Sequence, residues 1–175
     1  MLLAAEEAGE STATPLVVGI GASAGGLEAF TALLSHLPDD TGMAFVLIQH
    51  LDPKHESHLT ELLSKECKMP VAEVKGATRS RGNHVYVIPP RFNLGISDGV
   101  LQTAPRPDGG RNMPVDSFFR ALAQDRGSRA LGVVLSGTAS DGTPRRRGRA
   151  KGAKRGLCAL RLGRLPVARA QGCPA

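Results

Sequence analysis

Apolar residues in this chain fall into two alternating patterns: short continuous runs, and longer stretches with helical spacing. Leu16-Val17-Val18-Gly19-Ile20 is a continuous run ending in glycines, as expected of a strand buried on both faces. Residues 26–36 place Leu27, Phe30, Leu33 and Leu34 on one helical face, and Pro38-Asp39-Asp40 closes that stretch. Ala44-Phe45-Val46-Leu47-Ile48 is a second buried run, ending at Gln49-His50. Leu59, Leu62 and Leu63 give residues 56–66 helical spacing. Val71–Val74 and Val85–Ile88 predict short strands. Leu94–Leu101 carries Asp98-Gly99 between alternating residues, a hairpin turn signal. Val115, Phe118, Phe119 and Leu122 predict a helix over 115–124. Ala130–Leu135 is a third buried run, followed by Ser136-Gly137. Continuous apolar strands alternating with helices predict a single α/β domain. Its sheet is doubly wound and mostly parallel, and the hairpin is an insertion or an antiparallel edge.

Charge divides the chain. The net charge is +6, yet residues 143–175 hold ten of the 22 Lys and Arg and none of the 16 Asp and Glu. Residues 1–142 therefore carry twelve basic and 16 acidic side chains, a net of −4. This predicts a flexible leader over 1–14, a mildly acidic domain over 15–142 and a basic, low-complexity tail over 143–175 without native structure. With 3% aromatic residues and no Trp, stacking platforms for single-stranded nucleic acid are not expected. Cys67, Cys158 and Cys173 have neither metal nor disulfide spacing, which points to a reducing, cytosolic setting. Cys67 reads as a buried or half-buried thiol. Glu6, Glu7 and Glu10, with no basic residue before them, do not read as a signal peptide, and no apolar run reaches membrane-spanning length.

In open α/β sheets, sites form beyond the carboxyl ends of strands. The first run leads into Gly21-Ala22-Ser23-Ala24-Gly25-Gly26, the second into Gln49-His50, and the third into Ser136-Gly137-Thr138-Ala139-Ser140-Asp141-Gly142. A hydroxyl, an imidazole and a carboxylate thus follow three strand ends. Ser23 stands in a G-x-S-x-G turn, which presents a serine outward. A serine hydroxyl needs a neighbouring base; His50 can serve, and Asp141 can orient the imidazole and stabilise its cation. Other readings stay open at this point. Gly19 to Ala24 also fits the dinucleotide pattern G-x-G-x-x-A, although Gln49-His50 stands where that pattern wants an acidic residue. Taken singly, Ser23 suits a helix start, His50 a strand end and Asp141-Gly142 an ordinary turn. His55 and His58 have the spacing of paired metal ligands, but no third ligand accompanies them and Lys54, Glu56 and Ser57 mark a solvated face. No metal is expected.

VVGIGASAGG at 17–26, LIQH at 47–50, VYVIPP at 85–90, PVDSFF at 114–119 and SGTASDG at 136–142 together resemble the CheB-type chemotaxis protein-glutamate methylesterase domain. The likeness covers about residues 15–143 in unbroken motif order. Gln49-His50-Leu51-Asp52-Pro53 and SGTASDG are most similar to the version fused to methyltransferase and sensor-kinase modules. The resemblance implies hydrolysis of glutamyl methyl esters on chemoreceptor helices, with deamidation of glutamines in some members. It implies Ser23 as nucleophile, His50 as base and Asp141 as orienting acid, with backbone N–H groups near Ala24 and Thr138 as oxyanion donors. It implies no cofactor, a cytoplasmic setting, no membrane insertion and no nucleic-acid partner.

Two departures accompany the likeness. Too few residues precede the first strand for a receiver domain, so phosphorylation control is not expected within this chain. The family pattern also stops at Thr143. Residues 144–156 are rich in Arg, Lys and Gly and offer no apolar face for a helix. The expectation is a frameshifted or truncated gene, with a domain incomplete at its C-terminus. Part of the sheet would then lose its cover and an edge would open. A genuine basic tail for nucleic acid or acidic lipid is the alternative, as is a catalytically inactive receptor-docking module of the same family.

Overall fold

A computed structural model describes residues 14–22, 26–49, 58–106 and 113–136, and the backbone of 157–161. The main sheet has six strands: β1 (Val17–Ala22), β2 (Ala44–Gln49), β3 (Val71–Glu73), β5 (His84–Val87), β8 (Ala130–Ser136) and β9 (Leu157–Arg161). They lie in the order β3-β5-β2-β1-β8-β9, and every pairing is parallel. A separate antiparallel sheet, in the order β4-β7-β6, is built from β4 (Ala77–Arg79), β6 (Phe92–Ser97) and β7 (Val100–Pro105). The predicted hairpin is therefore part of a second sheet rather than an edge of the first.

Alternation along β1 explains both layers of core. Val18, Ile20 and Ala22 face one side, where they join Phe30 and Leu34 of α1 (Gly26–Leu34) and Leu59 and Leu63 of α2 (Leu59–Glu66). Val17 faces the other side with Val115, Phe118, Phe119 and Leu122 of α3 (Pro114–Arg126). The same cluster takes in Leu94, Ile96 and Leu101 of the small sheet. Helix α3 is thus shared between the two sheets. The predicted doubly wound arrangement is the observed one.

The β6–β7 hairpin turns on Asp98 and Gly99, both at positive φ (49° and 74°). Two left-handed residues make the turn whose twist matches the flanking strands, and Asp-Gly is a preferred pair for it. The Gly99 carbonyl accepts both the backbone N–H and the hydroxyl of Ser80, each at 2.8 Å, which fastens β4 to that turn.

Strand β9 departs from the sequence reading of the tail at residues 157–161 alone. Leu157–Arg161 pairs in register with Ala130–Val134 of β8. Leu-Cys-Ala-Leu is the longest apolar run after residue 143, and β8 would otherwise offer an unpaired row of backbone donors and acceptors. The β8 edge of the sheet is thus paired. Residues 1–13 of the leader and the rest of the tail lie outside the described residues.

Candidate active site

Strands β2, β1 and β8 are neighbours, and their carboxyl ends are level. Ala22 is in register with Gln49 on one side and with Ser136 on the other, after a register shift between Gly21 and Ala22. The sheet also reverses here. The connection from β1 through α1 leads to β2 on one side, while β8 lies on the other. Such a reversal leaves a crevice beyond the strand ends, the usual place for a site in open α/β sheets.

The candidate residues follow directly from these ends in the covalent chain. Ser23 is bonded to Ala22 and His50 to Gln49, while Asp141 is the fifth residue after Ser136. Ser23, His50 and Asp141, and the oxyanion candidates Ala24 and Thr138, lie outside the described residues. What the structure describes is the frame around them.

Close packing holds that frame together. A Cβ on Gly19 would lie 3.0 to 3.1 Å from the rings of Phe119 and Phe118 and from Leu122. A Cβ on Gly21 would overlap Val115 Cγ1. Both glycines of the dinucleotide-like pattern therefore lie inside β1, beneath α3. That pattern needs its glycines at the turn, where a pyrophosphate can approach. Here α3 side chains fill the space, and the nucleotide reading loses its structural basis.

Two polar residues of the frame carried only a weak sequence signal. Gln49, half-buried, ends an otherwise fully buried strand. Asp116 is the single buried charged side chain among the described residues. It stands in the first turn of α3, beside Val115, where a carboxylate meets the positive end of the helix dipole. A polar residue interrupting an apolar face is the signal that points to each.

The other candidate chemistry lies elsewhere. His58, the residue before α2, is exposed, with Nδ1 3.8 Å from Glu61 of that helix, and His55 is outside the described residues. No group of three metal-ligating side chains occurs among the described residues. Cys67 is a free, half-buried thiol. No described helix is long and apolar enough to cross a membrane.

Residues 18–148 match the family described as CheB methylesterase. The chain belongs to that family. The crystal structure of the Thermotoga maritima CheB methylesterase catalytic domain has a similar fold, with a TM-score of 0.66 and 25% identity over 75% of this chain and 72% of that one. A protein-glutamate methylesterase/protein-glutamine glutaminase of Yersinia pestis is 34% identical over 145 residues, 74% of this chain. A Burkholderia pseudomallei protein named protein-glutamate methylesterase/protein-glutamine glutaminase 2 is 36% identical over 132 residues. The chain spans about 40% of the length of these relatives.

Proposed function

We propose that this CheB domain hydrolyses glutamyl methyl esters on chemoreceptor helices in the cytoplasm, with glutamine deamidation as a second reaction. The observation that carries the reading is the level alignment of the β2, β1 and β8 carboxyl ends, from which Ser23, His50 and Asp141 follow. Sensor-kinase and methyltransferase modules are the partners that the motif flavour suggests.

In this mechanism His50 takes the proton from the Ser23 hydroxyl as its oxygen attacks the ester carbonyl. Negative charge on the carbonyl oxygen is stabilised by backbone N–H donors at Ala24 and Thr138. Collapse breaks the C–O bond, and His50 returns the proton so that methanol leaves. Water, deprotonated by His50, then attacks the acyl-serine. The Ser23 oxygen departs with that proton, and the product is a glutamate carboxylate. With a glutamine substrate the same sequence releases ammonia. Asp141 orients His50 and stabilises its cationic form throughout. No step calls for a cofactor.

Methanol release from methylated receptor fragments tests the reading. The full chain is expected to release methanol, and Ser23→Ala to lose at least about a thousandfold in kcat. Undiminished release by Ser23→Ala would remove the serine mechanism. No release from a folded chain that still binds receptor would instead favour a docking module.

A further inference from the structure

We propose that Gln49 is a positioning residue, whose side chain sets the spacing between the two flanks of segment 23–25, which contains Ser23, and the end of β2, which His50 follows in the chain. The inference rests on the serine mechanism above and adds a residue to it.

Three observations meet at one point. Gln49 is the last residue of β2, in register with Ala22, the last residue of β1. Gly26 is the first residue of α1 and is buried. A Cβ built on Gly26 would lie 2.9 Å from Gln49 Nε2, 3.1 Å from Gln49 Cδ and 3.2 Å from Ala22 Cβ. Ala22 and Gly26 are the two residues that flank segment 23–25. Gln49 therefore occupies the space that a side chain at 26 would fill, at the place where the two ends of that segment converge. Its own backbone is bonded to His50. One side chain thus connects the flanks of segment 23–25 to the strand that His50 follows.

The residue type suits this position. Alternation along β2 directs Phe45, Leu47 and Gln49 toward the α1 face, and the first two are fully apolar and buried. Position 49 is only half-buried, because it stands at the rim of the crevice. A long side chain with an amide tip fills the space over Gly26 without exposing apolar surface at that rim. Catalysis by a nucleophile–base pair is sensitive to displacements of about 1 Å, so a spacer of this kind controls rate rather than stability.

The test uses the full chain and two readouts: methanol release, and the rate at which a fluorophosphonate probe labels Ser23. Gln49→Ala is expected to slow labelling and lower kcat by roughly 10- to 100-fold, with KM and the melting temperature little changed. Gln49→Met, which keeps the length, is expected to recover most of the rate. Gly26→Ala places a methyl group against the amide and is expected to slow labelling as well. The double variant Gly26→Ala/Gln49→Ala is expected to label faster than Gly26→Ala alone, because removing the amide makes room for the methyl. Wild-type labelling rates in Gln49→Ala, or losses that simply multiply in the double variant, overturn the inference and leave the serine mechanism standing. A folded wild-type chain that neither releases methanol nor reacts with the probe overturns both.

Discussion

The Asp125 carboxylate, near the end of α3, accepts the backbone N–H of Gly99 at 3.1 Å, across 26 residues of sequence. Its other oxygen accepts the N–H of Asp98. One side chain thus satisfies both donors of the hairpin turn and ties the small sheet to the helix. Hydrogen bonds to a charged acceptor contribute about 1.5–3 kcal/mol each, more than neutral ones. Asp125→Ala is expected to destabilise the domain by about 2–3 kcal/mol in denaturant unfolding. Faster hydrogen exchange should appear first at Asp98 and Gly99. Asp125→Asn keeps one acceptor oxygen and should lose less.

Gly21 and Val115 form a second long-range pair. A methyl group at 21 cannot be placed without moving Val115, since the two would overlap. Gly21→Ala should cost about 1–3 kcal/mol, the usual range for overpacking. Val115→Ala in the same chain should recover part of that loss, because the two changes act on one volume. Losses that add without recovery would show that β1 and α3 separate rather than repack.

Phe118 and Phe92 should behave differently. Phe118, on the inner face of α3, is fully buried, whereas Phe92 is 36% exposed at the start of β6. Phe118→Ala leaves a cavity between β1 and the small sheet, with an expected loss of about 3–5 kcal/mol. Phe92→Ala should cost roughly 1 kcal/mol or less. Chemical denaturation of the two variants, compared at equal slope, checks the difference.

A chain ending at residue 156 would lack β9. The β8 edge would then present unpaired backbone groups along Ala130–Val134. Unprotected edges recruit other strands, so sedimentation should show self-association that the full chain lacks at the same concentration. Equal behaviour of the two chains would mean that β9 does not protect this edge.

Strands β1, β2 and β8 of the main sheet were legible because they are continuous apolar runs. Strand β1 extends two residues beyond the run that announced it, through Gly21 and Ala22. The sequence shows glycines there as turn residues. Their role as strand residues depends on Phe118, Phe119 and Val115, almost a hundred positions away. Strand β4 carried no signal: Ala77-Thr78-Arg79 is half exposed and is held by pairing with β7. The sequence placed Ser23, His50 and Asp141 after three strands but did not give the order of those strands. That order makes their ends adjacent, and it follows from the packing of α1 and α3 on opposite faces. The contact of Gln49 with Gly26 was equally hidden, because it becomes apparent only when β2 and α1 are placed side by side.

Strand β1 draws its two neighbours from distant parts of the chain, β2 soon after it and β8 more than a hundred residues later. During translation Ser23 and His50 are both synthesised early, yet β1 then has one open flank. At ordinary elongation speeds β8 emerges about 5–20 s afterwards. A nascent or prematurely released chain would thus contain serine and histidine in a half-built sheet, with no carboxylate to follow β8. Under the proposed serine mechanism, hydrolytic competence would be tied to near-completion of the domain, a timing that the order of strands in the gene imposes on the ribosome's product.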